Sequence, residues 1–419
     1  MIRSFAALAA GLLCLSACQT SYTSAYRSTA PVTLQRQSLP PQAQAIPGEH
    51  VVRLQPGADP ATFARQHGLS LVMPVGLNMY IFKGAAPFQV LSQDARVQWA
   101  EPNLRISLPP ENGRPAPAPP PLMARADQPN DPFLPVQYGF SITGTDQIWR
   151  QQPGSPEVIV AVIDSGIDGQ HPEFEGQLVP GFDFTLKPPA PGGNVDGYGH
   201  GTHVAGVIGA RTHNGIGIAG VAPGCKLMPV RIFNDFGHSE SGRSAAAVIW
   251  AVDHGAKVIN ASWGSPMEGQ ASKEAYQYAL AHDVVFVAAA GNSGNNEPKY
   301  PGASEEAIGV SATNDIDGWA SFSTFGDWID LAAPGKGILS TYPLNKGNGY
   351  RIMEGTSMAA PFVTAAAALV RSQYPQLNHQ QVRAQLERTA KDVIMNGKDK
   401  YAGHGRVDMA RAVREAPGR

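Results

Sequence analysis

The chain has few cysteines. Of its 419 residues only three are cysteine, and two of these, Cys14 and Cys18, lie close to the N-terminus. Cys225 is therefore the only cysteine in the body of the sequence, and a single thiol cannot form a disulfide within the chain. A disulfide framework is excluded, so stability has to come from an apolar core or from bound metal.

Charge is also scarce. Charged residues make up 16% of the sequence, and 32 Lys and Arg against 34 Asp and Glu give a formal net charge of −2. No basic cluster is long enough to hold a polyanion, so we expect no nucleic-acid partner. Beyond the N-terminus no apolar run reaches the roughly 20 residues of a membrane span. The length predicts two domains with appendages, and we expect the body of the chain to be soluble.

The N-terminus has the features of an export signal. Positive charge at residues 1–3 is followed by an apolar core at residues 5–15, a length typical of signal peptides. Residues 15–18 then resemble the lipobox of bacterial lipoproteins, in which the cysteine receives a diacylglyceryl group and the chain is cut before it. We expect a lipoprotein signal peptide, with Cys18 anchoring the exported precursor in a bacterial cell envelope. The alternative is an ordinary signal peptide that is cut after Ala17.

Composition and pattern divide the chain into five segments. Ser, Thr, Gln and Pro dominate the second, which is typical of a flexible tether. The third alternates short strands with short helices, which predicts a small α+β domain. The fourth is Pro-rich, so we expect an extended, exposed linker that proteases can reach. The segments are the signal peptide 1–17, the tether 18–44, the α+β domain 45–108, the linker 109–129 and the C-terminal domain 130–419.

Periodicity predicts the elements of both domains. In the α+β domain the predicted strands are 50–54, 79–82 and 97–103, and the predicted helices are 60–67 and 87–93. In the C-terminal domain the predicted strands are 159–163, 227–232, 257–261, 284–288 and 307–310, and the helical patterns include 244–254 and 273–281. Strands that alternate with helices predict an α/β fold with a doubly wound parallel sheet.

Three residues of the C-terminal domain supply a carboxylate, an imidazole and a hydroxyl. Asp164 follows a β-branched run that predicts a central parallel strand, and such sheets hold their chemistry at the carboxyl ends of the strands. His200 begins an apolar stretch typical of a buried helix. Ser357 precedes an Ala-rich helical run, whose N-terminus favours negative charge. A serine needs an imidazole to remove its proton, and the imidazole needs a carboxylate to orient it, so these residues predict a catalytic triad.

The order Asp, His, Ser and the surrounding residues resemble the subtilisin-like serine proteases, or subtilases, most closely their thermitase-like branch. The motifs are residues 162–166, 199–203 and 355–361, supported by residues 130–133, 148–149 and 405–408 at the two ends of the domain. The resemblance implies a secreted, monomeric endopeptidase that cuts proteins or peptides and needs no organic cofactor. The alternatives are a catalytically silent peptide-binding homologue and a triad esterase or acyltransferase, although the G-x-S-x-G elbow usual for the latter is absent.

Asn292 is the candidate oxyanion donor. It follows a predicted buried strand and lies in a Gly-flanked turn. Acyl transfer places negative charge on the former carbonyl oxygen, and a fixed amide donor there stabilises the transition state. By resemblance Asn292 is that donor, with the backbone N–H of Ser357 as its partner. The alternative is an Asn that only caps a turn.

Two edge segments resemble the substrate-binding strands of the family, so an extended peptide would pair between them by backbone hydrogen bonds. The substrate-binding residues that the resemblance implies are Gly237, Ser262, Trp263, Gly264, Ala290 and Gly291. Trp263 stands where the family has a smaller Leu. We therefore expect Trp263 to reshape the wall between the first and fourth subsites, with cleavage after large apolar side chains and broad tolerance.

Calcium is the metal that the resemblance implies, because the family site uses the hard oxygen ligands that Ca²⁺ prefers. When the family site is placed on this sequence, the ligands that the resemblance implies are the side chains of Asp131, Glu173 and Asn214 and the carbonyls of Arg211, Ile216 and Ile218. Glu173 departs from the usual Asp of the family. The alternative is that Asp131 and Asn214 are turn residues. Asp196 is a candidate for a second, weak calcium site, while His200 and His203 lack the third ligand that zinc would need.

Residues 47–52 and 100–103 resemble the inhibitor propeptides of subtilases, which assist folding and then block the active site. The resemblance implies that the chain carries its own propeptide as an intramolecular inhibitor, and the alternative is a small accessory module that is never removed. Cys18 lies on the propeptide side of the linker, so a cut within 109–129 would release the enzyme from the membrane. We therefore hypothesise a lipid-anchored zymogen whose mature form is periplasmic or extracellular.

Overall fold

The computed structural model describes residues 44–110, 113–120 and 128–418. All of them belong to one compact unit. The predicted signal peptide, Cys18 and nearly all of the predicted tether lie outside the described residues, as do two short stretches of the predicted linker. Among the residues that are described, no helix has the length and apolar character needed to cross a membrane.

The described residues form three sheets and a set of helices. The strands are β1 (Ala45–Leu54), β2 (Ser70–Gly76), β3 (Met79–Lys83), β4 (Val97–Ser107), β5 (Arg114–Pro115), β6 (Ile159–Asp164), β7 (Phe182–Asp183), β8 (Ala190–Pro191), β9 (Lys226–Arg231), β10 (His238–Glu240), β11 (Val258–Ala261), β12 (Val285–Ala289), β13 (Ile308–Thr313), β14 (Leu331–Pro334), β15 (Ile338–Thr341) and β16 (Tyr350–Met353). The α-helices are α1 (Pro60–His67), α2 (Phe88–Leu91), α3 (Tyr138–Ile142), α4 (His200–Gly209), α5 (Ser241–Asp253), α6 (Gln270–Ala281), α7 (Thr356–Gln373), α8 (His379–Thr389) and α9 (Met409–Arg414).

Strands β1 to β4 form an antiparallel sheet, and α1 and α2 cover one of its faces. Along β1, Val52 belongs to the same buried cluster as Phe63 of α1, whereas Val51 faces the opposite side. Helix α1 begins where Asp59 accepts hydrogen bonds from two backbone N–H groups, and it ends at Gly68, which has a φ of 62°. These local signals explain why α1 has the bounds that the sequence predicts.

The sequence prediction misses β2. Its pairing with β3 shifts register twice, between Leu71 and Met73 and between Pro74 and Gly76. Such irregularities break the period-two alternation that identifies a half-buried strand, so the pattern alone does not reveal β2.

The central sheet has the order β14-β13-β12-β11-β6-β9-β7-β8 and is mostly parallel. Along β6, Val160 and Val162 belong to the core that includes α4 and α7, whereas Ala161 and Ile163 belong to the core that includes α5 and α6. Helices therefore cover both faces, and the predicted α/β doubly wound fold is confirmed. Asp164 lies at the carboxyl end of this interior strand.

The second face of the N-terminal sheet packs against α5. Val51, Ile81 and Trp99 join a buried apolar cluster that contains Ile249 of α5. The backbone of α5 lies close to these side chains, since a Cβ on Gly242 would lie 2.9 Å from side-chain atoms of both Val51 and Ile81. The sheet therefore has a core of its own on one face and shares the core of the C-terminal domain on the other.

Part of the predicted linker is held against the C-terminal domain. Strand β5 adds a third strand to the antiparallel pair of β15 and β16. Ala116 follows β5, donates its N–H to the carbonyl of Tyr350 and is 7% exposed. Among the described residues of the linker, 109–110, 114–115 and 117–119 are exposed, as expected. The expectation is wrong for Ala116, which the apolar cluster beside β16 buries, and for Pro129, which is also buried.

Candidate active site

Asp164 and His200 form a buried pair. Asp164 is the last residue of β6, and His200 is the first residue of α4. The ring Nδ1 of His200 lies 2.9 Å from Oδ1 of Asp164 and 3.0 Å from Oδ2. Both residues are almost completely buried. When Nδ1 donates its N–H to the carboxylate, Nε2 is left as the basic nitrogen of the ring.

Ser357 lies in the first turn of α7, a helix that packs against α4. Its hydroxyl Oγ lies 3.0 Å from the carbonyl oxygen of Ser262, and the hydroxyl of Ser262 donates to the carbonyl oxygen of Ser357 at the same distance. This reciprocal pair ties the turn that carries Ser357 to the segment after β11. Ser357 is 5% exposed, so its hydroxyl is only narrowly accessible to solvent.

Asn292 lies beside the same turn. Its Oδ1 accepts hydrogen bonds from the N–H of Thr356 at 2.9 Å and from the Thr356 hydroxyl at 3.0 Å. These two donors fix the orientation of the amide, so Nδ2 is the end that is left to donate. A Cβ on Gly355 would lie 3.2 Å from this Nδ2, and Gly355 has a φ of 152°, which favours glycine. An amide donor is therefore held next to Ser357 at the exposed surface of the site.

His203, one turn further along α4, has a different environment. Its Nε2 lies 3.1 Å from the carbonyl oxygen of Ile338 and 3.0 Å from that of Arg351. Burial lowers the pKa of the His203 ring to about 3, against the opposing effect of the hydrogen bond to Arg351. A neutral ring therefore joins α4 to both β15 and β16.

A segment of the N-terminal domain pairs with one of the two predicted substrate edges. The last three residues of β4 pair antiparallel with β10. The N–H of Leu108 continues this ladder by donating to the carbonyl of Gly237 at 2.9 Å. The Tyr198 hydroxyl donates to the carbonyl of Pro109 at 2.6 Å. Because Tyr198 is only two residues before His200, the segment ends close to the Asp164–His200 pair.

Trp263 lies deeper than the sequence suggests. It is 4% exposed and belongs to the buried apolar cluster that also contains Ile106 and Leu108. Its indole N–H donates to the carbonyl of Ile163 at 3.1 Å, directly before Asp164. The side chain therefore supports the end of β6 in addition to any effect that it has on a substrate.

The remaining predicted substrate residues lie around Ser357 and Asn292. Ala290 is fully buried and directly precedes Gly291. Gly264 and Gly291 both lie against the stem of Lys299, because a Cβ on either glycine would approach Lys299 carbons to 3.3 and 2.9 Å. The Lys299 ammonium pairs with Glu297 at 3.5 Å. The Lys299 stem therefore packs directly against both glycines.

Asp131, Glu173 and Asn214 come together at one place. The N–H of Asn214 lies 3.2 Å from Oδ1 of Asp131, and its Nδ2 lies 2.9 Å from Oε2 of Glu173. Both carboxylates are fully buried, and none of the ion pairs of the described residues includes either of them. Burial raises the pKa of Asp131, and burial together with the charge of Asp131 raises the pKa of Glu173 to about 7. Two buried carboxylates without an ion-pair partner are suited to a cation.

The predicted carbonyl ligands lie on the loop around these side chains. The N–H groups of Arg211, Ile216 and Ile218 donate to Glu173 O, Asn214 Oδ1 and Glu173 Oε1 at 2.9, 3.0 and 2.7 Å. A Cβ on Gly217 would lie 2.1 Å from Oε1 of Glu173, so glycine there makes room for the longer acidic side chain. The described residues contain no group of three or more His, Cys, Asp or Glu able to hold a metal. A cation here would therefore need amide and carbonyl oxygens as well.

Sequence reasoning misses the role of Glu101 and Asn103 of β4. The Glu101 carboxylate accepts the N–H groups of Gln270 and Ala271 at 2.7 and 3.1 Å, at the start of α6. Asn103 Oδ1 accepts the N–H of Gly242 at 3.0 Å, at the start of α5. Neither helix has a side-chain cap of its own. The only hint in the sequence is that neither helix has a capping side chain at its own N-terminus. That absence does not identify the distant residues that accept the free N–H groups.

Comparison with known proteins gives consistent likenesses. Residues 155–405 match the subtilase family. The chain is 39% identical to thermitase of Thermoactinomyces vulgaris over 286 residues, which are 68% of this chain and 99% of thermitase. It is 37% identical over 329 residues to a thermophilic serine proteinase of Bacillus sp. (strain AK1), covering 78% of this chain and 75% of that protein.

Fervidolysin of Fervidobacterium pennivorans is similar in sequence and in structure. It is 40% identical over 304 residues, which are 66% of this chain and 43% of fervidolysin, so the match spans less than half of that longer protein. The crystal structure of fervidolysin, described as a keratinolytic enzyme related to subtilisin, matches with a TM-score of 0.79 and 31% identity. That likeness covers 91% of this chain and 63% of the other.

Proposed function

The chain belongs to the subtilase family and is a serine peptidase that hydrolyses peptide bonds, and we propose that Asp164, His200 and Ser357 are its catalytic triad. The observation that carries this proposal is the buried contact of His200 Nδ1 with both oxygens of Asp164, at 2.9 and 3.0 Å. That contact fixes the tautomer in which Nε2 can accept a proton. The position of Ser357 also supports the proposed triad, because the helix that carries its hydroxyl packs against the helix that carries His200.

In the proposed mechanism, Ser357 Oγ attacks the peptide carbonyl while His200 Nε2 takes its proton. Asp164 stabilises the imidazolium that forms, and His200 then gives the proton to the leaving amine. The acyl-enzyme is hydrolysed by water, which His200 activates in the same way. Burial of the Asp164–His200 pair strengthens this electrostatic support, since water does not screen it.

Asn292 is the proposed oxyanion donor. Thr356 occupies Oδ1 of the amide with two hydrogen bonds, so Nδ2 is available to the oxygen that becomes negative. A donor that is already oriented needs no reorganisation during the reaction, which is why such groups stabilise the transition state strongly. The backbone N–H of Ser357 would be the second donor.

Substrates are proposed to bind as extended chains along β10. The pairing of β4 with β10, continued by the Leu108 N–H and the Gly237 carbonyl, supports this because the same ladder would serve a substrate backbone. Backbone pairing is tolerant of sequence, and we propose broad cleavage with a preference for large apolar side chains before the scissile bond. A peptide-library profile dominated by acidic or basic residues there would overturn this preference. An acidic preference would implicate Lys299 beside Gly264 and Gly291.

The N-terminal domain is proposed to act as a propeptide inhibitor. Its segment at residues 105–108 pairs with the proposed substrate edge, and Glu101 and Asn103 cap α6 and α5 of the catalytic domain. A domain bound in this way would compete with substrate until it is cut away. We further propose that Cys18 is lipidated and that cleavage between residues 109 and 129 releases the mature enzyme from the membrane.

Calcium is the proposed structural metal. The residues fit it, because two buried carboxylates and an amide meet on a loop with further carbonyls and carry no ion-pair partner among the described residues. Asp131, Glu173 and Asn214 would hold the ion with their side-chain oxygens. When bound, calcium would supply positive charge that balances the carboxylates and would tie the loop of residues 211–218 to Asp131.

The calcium proposal can be tested by comparing the melting temperatures of two variants, one at Glu173 and one at Glu175. In the inactive Ser357→Ala background, which prevents self-digestion, calcium should raise the melting temperature and a chelator should lower it. Glu173→Ala should abolish this difference, whereas Glu175→Ala should keep it, since Glu175 is exposed and pairs with Arg211 instead. A melting temperature that does not respond to calcium or chelator would contradict the proposal.

Mass spectrometry of membrane and soluble fractions tests the maturation proposal. Wild type and Ser357→Ala are expressed with the native N-terminus. We expect a soluble chain beginning near residue 130 from wild type, and a full-length, lipidated, membrane-bound chain from Ser357→Ala. If both proteins remain uncut, the N-terminal domain is permanent or is processed by another protease. If the mature enzyme keeps Cys18, release by cleavage is refuted.

A further inference from the structure

A second buried carboxylate lies close to the proposed triad without belonging to it. Asp196 is 3% exposed and precedes His200 by four residues. Its Oδ1 accepts the N–H groups of Tyr198 and Gly199 at 3.0 and 2.7 Å. Its Oδ2 accepts the N–H and the hydroxyl of Thr202 at 2.9 and 2.6 Å. The carboxylate therefore holds the chain on both sides of His200.

These bonds satisfy the start of α4, the helix that begins with His200. The first N–H groups of a helix have no partner within it, and the N-cap residue Gly199 has no side chain to supply one. Asp196 supplies the acceptor from outside the helix. Its negative charge also complements the positive end of the helix dipole.

The same network reaches the end of β6. The Ser165 hydroxyl hydrogen-bonds to Asp196 and also accepts the N–H of Gly201 at 2.9 Å. The backbone N–H of Ser165 donates to Oδ1 of Asp164 at 2.7 Å. A continuous set of hydrogen bonds therefore joins the carboxylate that orients the His200 ring to the backbone that carries His200.

The contacts of Asp196 argue against a role in metal binding. Both oxygens of Asp196 already accept two hydrogen bonds each from the backbone and Thr202, so little capacity is left for a cation. The second, weak calcium site expected at Asp196 therefore has no support in these contacts. What these bonds do accomplish is to fix the first turn of α4.

We infer that Asp196 is a positioning residue, which fixes the backbone of His200 and with it the ring whose Nδ1 meets Asp164 and whose Nε2 is the proposed base for Ser357. This inference rests on the proposed triad. Loss of the Asp196 bonds should let the first turn of α4 shift. A displacement on the order of 1 Å in such a group costs up to about 100-fold in rate while substrate binding is kept.

The test compares Asp196→Asn with a matched control, Asp183→Asn. Asp183 is also buried, and its Oδ1 accepts the N–H and hydroxyl of Thr185 at 2.8 and 2.6 Å, but it lies on β7, outside the network around His200. Both proteins are made from the full chain, and kcat and KM on a short peptide substrate are expressed per active site titrated with a serine-directed phosphonate. For Asp196→Asn we expect kcat to fall about 10- to 100-fold with KM within twofold. Asp183→Asn should keep the kcat of wild type.

Thr202→Val provides a second variant in case Asp196→Asn does not fold. It removes the hydroxyl bond to Asp196, and also the hydrogen bond that this hydroxyl accepts from the N–H of Asp168, while the backbone bond of Thr202 to Asp196 stays. A smaller fall in kcat is therefore expected, again with KM unchanged. If Asp196→Asn keeps a kcat within twofold of wild type, or if Asp183→Asn falls as far, the inference is overturned. If Asp196→Asn does not fold, an unchanged kcat in Thr202→Val overturns it. Ser357→Ala, measured alongside, separates the two ideas, because retained activity in that variant would refute the triad itself.

Discussion

His200 and His203 lie one turn apart on the same helix, and both are buried, yet their partners differ in kind. His200 faces the two carboxylate oxygens of Asp164, whereas His203 lies between two backbone carbonyls. A carboxylate stabilises the protonated ring that a general base must become. Two carbonyl oxygens carry no full negative charge to balance a protonated ring, so burial lowers the pKa of His203 to about 3 although the hydrogen bonds to the carbonyls act in the opposite direction.

The comparison teaches that the partner of a residue, rather than its type or burial, separates a reactive side chain from a structural one. The same contrast exists between two amides. Asn292 is exposed, and with its Oδ1 bound to Thr356 its Nδ2 is left to donate, whereas Asn260 is fully buried and uses its amide to bind the hydroxyls of Ser262 and Thr364. Variants of the two histidines, and of the two asparagines, should therefore differ in whether they lose activity or stability.

The largest expected difference is in catalysis. His200→Ala should lower kcat on the order of 10⁴-fold or more, the size of effect that removal of a triad member has in other serine proteases. His203→Gln should keep kcat per titrated site within about tenfold, because the carbonyl partners of His203 lie away from the reacting atoms. Steady-state kinetics with a short peptide amide measures both. If both variants lost kcat equally, the distinction between a catalytic and a structural histidine would be refuted.

The two asparagines test the same contrast with a smaller expected change in kcat. Asn292→Ala should lower kcat by about 10²- to 10³-fold with little change in KM, because the lost donor acts on charge that develops in the transition state. Asn260→Ala should instead lower the free energy of unfolding, by about 1–3 kcal/mol, because it leaves the buried hydroxyl of Thr364 without its acceptor. Kinetics and denaturant unfolding together check this. A rise in KM without a fall in kcat for Asn292→Ala would contradict the oxyanion role.

The smallest expected effect is the dependence of stability on pH. The fold holds His203 neutral, with a pKa near 3 against an ordinary value near 6.5. Its contribution is complete above pH 6.5, and it is lost as the pH falls from 6.5 toward 3, because the unfolded chain then binds a proton that the folded chain does not. The loss is up to about 1.4 kcal/mol per pH unit.

Denaturant unfolding in the Ser357→Ala background measures this loss. His203→Gln should be less stable than its parent at pH 7, since the buried carbonyls lose their ring partner. The gap between the two proteins should shrink as the pH falls to 5, because glutamine does not titrate. A gap that stays constant with pH would show that His203 titrates equally in both states.

The parts that the sequence predicts are those with local signals. The run before Asp164 and the Ala-rich run after Ser357 identify a buried strand and a helix by composition alone, and both elements are present. Helix α1 is correctly bounded because its cap residues are adjacent to it. The positions of Asp164 and Ser357 at the ends of these elements can therefore be predicted from the sequence.

The parts that the sequence misses depend on distant partners or on broken periodicity. Glu101 caps a helix 169 residues away, and no local pattern reveals that contact. Trp263 is expected at a substrate wall, but its indole N–H binds the carbonyl of Ile163 within the core. The role inferred for Asp196 emerges only when all of its hydrogen-bond donors are seen together, since in the sequence it is one acidic residue in a loop.

The most direct test of the central claim is covalent labelling of the full chain with a fluorophosphonate, followed by peptide mass spectrometry. The account predicts that wild type and His203→Gln are labelled on Ser357, that Ser357→Ala is not labelled, and that His200→Ala is labelled far more slowly. Labelling of another serine, or labelling of Ser357 at the same rate in His200→Ala, would contradict the proposed triad.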